Sequence, residues 1–321
     1  MCCDLLNSKL YPVVDQPHIK VYILETSHFS IGTSPYYAHQ HAIGIDIYDQ
    51  LTPQNYKVLS PVAGKVLQIK ELRAPKPRFN CGIDREYLTI IQNHDDKDTV
   101  FKILHVKPEL YVGQKVKPGD PLGITIKSGY FAPWSSPHIH LELKKPKDVL
   151  RAKGGLSFTL NTQKEARMNT SDKISRYERI PVKICYVYDD FFLGQFPDDL
   201  YFHLTPFYGL QGNSENASFI IDGGIPQYKR GLVHLSNSNK NLLSQAIYFN
   251  TIQIGSINSF QGNYGLVDFN QVQILLNNTP LRGISLFLAM NRPFIKLIRF
   301  AKMEYKISQN SIQNLDLHKL V

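Results

Sequence analysis

Short segments in which apolar and polar residues alternate recur along the first half of the chain and limit what it can fold into. Successive side chains of a strand point to opposite faces, so alternation with a period of two indicates strands with one buried face. Turns rich in glycine and proline separate the segments, as in antiparallel all-β domains. The segments are residues 19–24, 43–48, 58–69, 87–92, 100–105 and 138–143. The chain is therefore predicted to begin with an antiparallel β-domain.

A second set of alternating segments follows residue 180 and predicts a β-sandwich-like domain. These segments are residues 182–188, 200–204, 217–221, 246–254, 272–276, 284–289 and 295–300. The intervening stretch 151–179 is polar and contains adjacent glycines, which favours a linker with room for one short helix. We predict domains at residues 1–150 and 180–321, joined by a linker at 151–179.

The second domain is rich in Tyr and Phe, and these residues have two interpretations. They fill the core and the strand surfaces, or they line a carbohydrate- or peptide-binding face. His203 and His234 stand apart from other candidate catalytic residues in the sequence and are interpreted as structural. The expected role of this domain is to bind a substrate or a partner.

The chain carries a net charge of +9, with 36 Lys and Arg against 27 Asp and Glu. The basic residues are scattered, and no groove-reading motif accompanies them, so we expect no nucleic-acid partner. The densest basic stretches, 144–147 and 70–78, are typical of solvated edges or loops. We expect at most a mild attraction to acidic substrates or partners.

The four cysteines, Cys2, Cys3, Cys81 and Cys185, lack the spacing of a zinc site or of a disulfide framework and are predicted to be free thiols. The N-terminus shows no secretory signal pattern. Apolar runs stay shorter than the roughly 18 residues that a membrane span needs. On these grounds we expect a cytoplasmic protein without a membrane span.

Two histidines, His138 and His140, lie on one side of the predicted strand 138–143, whereas Ile139, Leu141 and Leu143 point into the core. Paired imidazoles suggest metal or proton chemistry. A second histidine pair precedes Asp46 in the sequence AHQHAIGIDI, residues 38–47. A carboxylate in a buried strand must be paired or coordinated.

The order of five motifs resembles the lysostaphin-type (LytM-like) zinc endopeptidases. The family begins with His-x-Gly-x-Asp and ends in His-x-His, with a Pro-x-x-Gly-x-Val hairpin, a Tyr-x-His-Leu strand and a glycine-rich turn between. The corresponding stretches here are residues 38–47, 60–66, 101–106, 113–123 and 135–143. The resemblance covers residues 40–143 and implies a duplicated hybrid motif fold, a hammerhead or barrel-like arrangement of antiparallel strands.

The resemblance also implies a site and an activity. It makes His41, Asp46 and His140 the ligands of Zn²⁺, and it makes His105 and His138 the catalytic residues that flank a zinc-activated water. Zinc sites of this kind take three protein ligands and lower the pKa of the bound water. The implied substrate is a peptide, in the family usually a peptidoglycan cross-link.

The chain departs from the family pattern near the first ligand. The family histidine stands four residues before the aspartate, which here is Ala42, and His41 is one residue farther away. For His41 to reach a metal with Asp46, the chain must bulge near residues 42–44 or the strand must begin after His41. His39 is the alternative ligand. Around His105, Ile103 and Val106 replace the usual tyrosine and leucine.

Several alternatives stay open from the sequence. Residues 60–66 and 113–123 also resemble turns of biotinyl-lipoyl carrier domains and of glucose-type phosphotransferase carriers. A non-catalytic binding or scaffold protein would keep the fold with a degenerate metal site, and a phosphocarrier would use His105 or His138 as the phosphoryl acceptor. Glu142 either orients a ligand or points to water. His94 is expected to be exposed. For His105, the alternative to a catalytic role is that of a buried structural histidine.

Overall fold

A computed structural model describes residues 9–80, 82–163, 176–236 and 240–320. It contains two compact units, one formed by the residues up to 29 together with 43–161, the other by residues 30–42 together with 162–321. Strands dominate the described chain, which confirms the predicted all-β class. Among the described residues, no helix has both the length and the apolar character needed to cross a membrane.

Each of the six alternating segments predicted before residue 145 contains a strand, and the structure adds strands that were not predicted. The strands up to residue 161 are β1 (Leu10–Gln16), β2 (Ile19–Leu24), β3 (His28–Ser30), β4 (Gly44–Tyr48), β5 (Lys57–Leu59), β6 (Gly64–Arg73), β7 (Arg85–Asn93), β8 (Val100–Leu104), β9 (Val106–Pro108), β10 (Lys115–Val116), β11 (Pro121–Thr125), β12 (Ile139–Lys144) and β13 (Gly155–Leu156). A one-turn helix, α1, spans Tyr37–Gln40, and a 3₁₀ turn spans Pro146–Asp148.

The first unit is built from one larger sheet and two small ones. The larger sheet has the order β10-β6-β7-β8-β12-β4, with β13 alongside β12, and the others are β5-β11-β9 and the hairpin β1-β2. Pairing between these named strands is antiparallel. Strands β4 and β12 are buried along their whole length, so every polar side chain on them must find a partner inside the protein.

The strands after residue 176 form the second unit. They are β14 (Ile180–Val187), β15 (Phe191–Gln195), β16 (Tyr201–Leu204), β17 (Phe207–Asn213), β18 (Ser218–Asp222), β19 (Gly224–Ile225), β20 (Arg230–His234), β21 (Ala246–Phe249), β22 (Ile252–Gln261), β23 (Tyr264–Phe269), β24 (Val272–Leu276), β25 (Thr279–Leu281), β26 (Gly283–Ser285), β27 (Leu288–Ala289), β28 (Ile295–Ile298) and β29 (Ile312–Lys319). Short 3₁₀ turns lie at Asp198–Leu200 and Lys240–Leu242.

The second unit is β-rich, as predicted, and its core lies between two sheets, of which one closes on itself as a six-stranded barrel. One has the order β27-β17-β18-β20-β23-β22-β21, with β16 on β17 and a pairing of Asn213 with Tyr248 that closes it; the other has the order β19-β26-β28-β15-β14-β29-β24-β25. Phe219 and Ile221 of the first sheet and Val182 and Leu297 of the second belong to one buried cluster. The alternating apolar residues thus meet between the sheets, as expected from strand geometry.

Part of the predicted linker belongs to the first unit. Residues 155–156 form β13 and pair with Leu143 and Lys144, so part of the segment 151–179 adds a strand to the first unit. Residues 164–175 lie outside the described residues, as do Cys2, Cys3 and Cys81. Cys185 is a half-buried free thiol, as predicted. The domain boundaries themselves stay a prediction.

The expectation that the basic stretch 144–147 is a solvated edge is wrong for Lys144. Its side chain is fully buried, and its Nζ lies 2.8 Å from Glu142 Oε2. The same ammonium group donates to the carbonyl oxygens of Arg151, Ala152 and Lys153. A buried ammonium group is tolerated because it has a carboxylate and three carbonyls as partners.

Candidate metal centre

The strand register places two of the predicted ligands side by side. In the antiparallel pairing of β4 with β12, Asp46 lies directly opposite His140. On the other edge of β12, His140 lies opposite Leu104, the last residue of β8 and the neighbour of His105. Residues far apart in the sequence therefore meet in one row across three strands. Asp46, His138 and His140 are all buried.

His140 contacts a carboxylate through each of its ring nitrogens. Its Nδ1 lies 2.8 Å from Asp46 Oδ1, and its Nε2 lies 3.3 Å from Glu142 Oε1. Glu142 is in turn held by Lys102, whose Nζ donates at 2.9 Å, and by Lys144. Glu142 thus orients His140 and does not point to water, which resolves the two interpretations of this residue.

The electrostatics of this row follow from burial and pairing. Burial lowers the pKa of His140, but hydrogen bonds to Asp46 and Glu142 and their negative charges outweigh it and raise the pKa to about 9. For Glu142, burial raises the pKa, whereas the hydrogen bond with His140 and the nearby Lys102 and Lys144 hold it well below its usual range. Glu142 is therefore an ionised acceptor, and it favours a proton on His140 Nε2.

His138 occupies a different environment. Its Nδ1 lies 2.8 Å from the carbonyl oxygen of Ser136, so this nitrogen carries the proton. Burial lowers its pKa to about 3, because the charged form is penalised more than Asp46 stabilises it. Its Nε2 is then an acceptor and faces Asp46 Oδ2 at 3.4 Å. A lone pair on His138 Nε2 is what a proton acceptor in the site requires.

His105 follows β8 in a left-handed conformation, with a φ of 68°. Its ring centroid lies 5.2 Å from that of His138 and 5.8 Å from that of His140. The structure therefore brings His105, His138, His140 and Asp46 together, whereas His94 is exposed, as expected.

Glu86 is a partner of His105 that the sequence did not indicate. Its Oε2 lies 2.7 Å from His105 Nδ1 and accepts a hydrogen bond from Ser128 Oγ at 2.8 Å. Burial raises the pKa of Glu86, but His105 and the hydrogen bonds from Ser128 and the Tyr87 amide outweigh it and lower the pKa to about 2. Glu86 precedes the predicted strand 87–92, a position typical of a solvated turn residue, so no local signal marks it.

Two aromatic side chains also border the site and were missed from the sequence. The ring centroid of Phe131 lies 4.7 Å from that of His105 and 5.1 Å from that of His138. Tyr48 packs against His138 at 4.7 Å, and its hydroxyl donates to Asp46 Oδ2 at 3.4 Å. Tyr48 lies two residues after Asp46 on β4, so strand alternation could have placed both side chains on the same face. Phe131 lies in a loop, where periodicity gives no guidance.

The structure places His39, and not His41, with the other predicted ligands. The strand β4 begins only at Gly44, and Ala42 before it has a φ of 50°, so the alternation of faces does not extend back to residue 41. His41 instead stacks on Tyr37 and its Nδ1 lies 2.9 Å from the carbonyl oxygen of that residue. His39, in α1, is buried, and one side-chain ligand atom from each of His39, Asp46 and His140 lies within 4.8 Å of the others.

The chemistry of this donor set fits a metal ion such as zinc. A histidine that binds a metal through one ring nitrogen typically donates a hydrogen bond from the other N–H to an oxygen, and this bond fixes the tautomer. His39 Nδ1 lies 2.8 Å from the Ile31 carbonyl oxygen, and His140 Nε2 faces Glu142, so Nε2 of His39 and Nδ1 of His140 are the nitrogens that a metal ion would bind, and on His140 it would displace the proton that faces Asp46. Two imidazoles and one carboxylate form a ligand set that zinc accepts.

The fold and the site define a class: an all-β chain of two units with a buried His-Asp-His cluster that could bind a metal ion. Residues 18–160 match the profile of the N-terminal domain of a family described as a domain of unknown function (DUF8155). Residues 201–310 match the profile of the C-terminal domain of the same family. No match was found among curated proteins.

Comparison with solved structures finds lysostaphin. The crystal structure of the catalytic domain of this antimicrobial peptidase from Staphylococcus simulans is 18% identical, with 48% of this chain and 90% of that chain covered and a TM-score of 0.26. The solution structure of lysostaphin is 14% identical, with 77% and 95% covered and a TM-score of 0.25. Because these TM-scores are low, the interpretation of the site rests on the contacts within this chain.

Proposed function

We propose that this chain is a zinc-dependent metallohydrolase that cleaves peptide bonds. The observation that carries the proposal is the convergence of His39, Asp46 and His140 in a buried site, with the other nitrogen of each histidine engaged by an oxygen acceptor. The order of the sequence motifs supports the same activity. Asp46, His140 and His39 are the proposed ligands, the last in place of His41.

A divalent ion in this site supplies Lewis acidity, which polarises a carbonyl group and acidifies water. With one carboxylate and two neutral imidazoles as ligands, the site keeps a net positive charge that favours an electron-rich carbonyl oxygen. The buried position of Asp46 and His140 strengthens this field, because less water screens it.

Two further histidines handle protons in the proposed reaction. His138 holds its own proton on Nδ1, against Ser136, and presents Nε2 toward Asp46 as an acceptor. His105 lies beside it, 5.2 Å between ring centroids. A neutral imidazole accepts a proton from the attacking water and donates it to the leaving amine, and the second imidazole orients the carbonyl or stabilises its developing charge.

The proposed substrate class is a peptide, with peptidoglycan-type cross-links as the leading example because of the sequence resemblance. The test is direct. The full chain is loaded with zinc and incubated with purified bacterial peptidoglycan and with a mixture of unmodified peptides, and newly formed amino termini are counted. We expect new termini from at least one substrate, loss of the activity with a chelator and its return with zinc.

The competing hypotheses make different predictions in the same experiment. A scaffold protein with a degenerate site retains less than about a tenth of an equivalent of zinc after reconstitution and forms no new termini. A phosphocarrier forms phosphohistidine at His105 or His138 and needs no metal. Either result would overturn the proposed function.

A further inference from the structure

We propose that Glu86 is a positioning residue that fixes His105 with its proton on Nδ1, so that Nε2 is the nitrogen that accepts a proton in the site. The inference rests on the proposed function for the role of His105 in the reaction. The arrangement itself stands on contacts within the first unit.

Each oxygen of the Glu86 carboxylate has two donors. Oε1 accepts the backbone N–H groups of Tyr87 and His105, each at 2.9 Å. Oε2 accepts from the Ser128 hydroxyl and lies 2.7 Å from His105 Nδ1. An ionised carboxylate only accepts hydrogen bonds, so His105 Nδ1 must be the donor, and in the neutral ring Nε2 is then the acceptor.

Glu86 also holds the backbone that carries this ring. The φ of 68° at His105 lies in the left-handed region, which a residue with a Cβ adopts at a cost and keeps only where its surroundings enforce it. One oxygen of Glu86 binds the backbone N–H of His105 and the other binds its ring. The same buried carboxylate therefore fixes both the turn and the orientation of the imidazole.

Replacement by glutamine distinguishes this role from simple packing. Oε1 faces two backbone N–H groups that can only donate, so the amide oxygen of a glutamine must take this position. The amide NH₂ group is then directed at His105 Nδ1 and Ser128 Oγ. Facing a donor, Nδ1 becomes an acceptor and the proton moves to Nε2, which can then no longer accept one. Glu86→Gln preserves shape and inverts the tautomer.

The test measures the tautomer of His105 directly. Zinc-loaded full-length protein with ¹⁵N-labelled histidine is studied by long-range ¹H–¹⁵N NMR, with His105→Gln to assign the signals. We expect the Nδ1–H tautomer in the wild type and the Nε2–H tautomer in Glu86→Gln. Glu71→Gln is the matched control: it removes an exposed carboxylate paired with Arg85 and leaves the His105 tautomer unchanged.

The kinetic arm asks whether the tautomer matters for the reaction. Glu86→Gln should lower kcat by about 100-fold or more at unchanged zinc content, with a much smaller change in KM, because proton transfer fails while binding persists. An Nε2–H tautomer in the wild type, or an unaltered tautomer in Glu86→Gln, would overturn the inference. The wild-type spectrum decides even where the variant does not fold.

The two proposals fail in different ways. If the wild type cleaves no peptide, the proposed function is wrong, while the NMR measurement still decides what Glu86 does to His105. If the wild type is active and Glu86→Gln retains its full kcat, the proposed function survives and the positioning role of Glu86 is refuted.

Discussion

Among the described residues, Asp46 and Asp222 are buried aspartates with histidine partners, and they differ in the other groups that surround the carboxylate. In the second unit, Asp222 is fully buried and His234 Nε2 donates to it at 2.9 Å. Three more donors reach the same carboxylate: Ser30 Oγ at 2.5 Å, the Ile31 amide at 2.7 Å and the Gly32 amide at 3.1 Å. This carboxylate is saturated by donors and functions as a structural clamp.

The pair of the first unit has a different set of partners. Asp46 faces His140 Nδ1 at 2.8 Å and Nε2 of His138 at 3.4 Å. The hydroxyl of Tyr48 also donates to Asp46 Oδ2, so the partners of this carboxylate include two imidazoles and a phenol. Burial and residue type are alike in the two pairs, so the kind of partner is what separates the candidate metal centre from the clamp: ring nitrogens that can bind a metal ion in one, and hydroxyl and amide donors in the other.

The largest expected effect comes from a comparison of two His→Ala variants at buried positions. His140→Ala should reduce bound zinc from about one equivalent to less than about a tenth, because two remaining ligands hold zinc poorly. His234→Ala is the matched variant and should leave zinc content unchanged. Metal analysis after reconstitution and dialysis measures both. Equal zinc loss in the two variants would remove the distinction drawn above.

The next largest effect is expected on the reaction rate. His138→Ala should keep its zinc and lose about 100-fold to 10,000-fold in kcat, the usual contribution of a positioned acid-base group. The measurement is the rate of new amino termini at saturating substrate, with zinc content determined on the same sample. Loss of zinc in this variant would make His138 a ligand and contradict its assigned role.

The hydrogen bond between His234 and Asp222 is expected to contribute to the stability of the fold. His234→Ala removes one donor from a buried carboxylate, at a cost of about 2 kcal/mol. For a unit of this size that corresponds to a fall of about 5 °C in the midpoint of thermal unfolding. Calorimetry of wild type and variant provides the comparison. An unchanged midpoint would mean that the donors from residues 30–32 satisfy Asp222 without His234.

The smallest effect is expected at His41, the ligand that the sequence resemblance implied. Its half-buried ring stacks on Tyr37 and bonds the carbonyl oxygen of that residue, so His41→Ala should cost about 1 kcal/mol or less and leave zinc bound. His39→Ala should release the metal. The reverse result would restore His41 as the ligand and contradict the placement of His39.

Much of the architecture was predictable because strand alternation is a local property. The positions of His138, His140 and Asp46 were also accessible, since their spacing and order persist when the sequence between them changes. The sequence alone could not decide between His39 and His41 as the third ligand. Strand parity predicts side-chain direction only within a strand, and the positive φ of Ala42 together with a one-turn helix breaks it.

Partners that come from distant strands were beyond a single sequence. Glu86 precedes an apolar segment and looks like a turn residue, yet the pairing of β7 with β8 brings it to His105. Lys144 belongs to a basic run but is buried, because Glu142 and three carbonyls surround its ammonium group. Charge runs indicate exposure only on average, and buried pairing can override them.

The proposed metal centre consists of one ion bound by His39, Asp46 and His140. Anomalous diffraction from crystals of the full chain grown with zinc, measured at the zinc absorption edge, would locate this ion. We predict one strong anomalous peak about 2.0 to 2.2 Å from a nitrogen of His39, an oxygen of Asp46 and Nδ1 of His140. A map with no peak among these three residues, or with the peak on His41, would refute this metal centre.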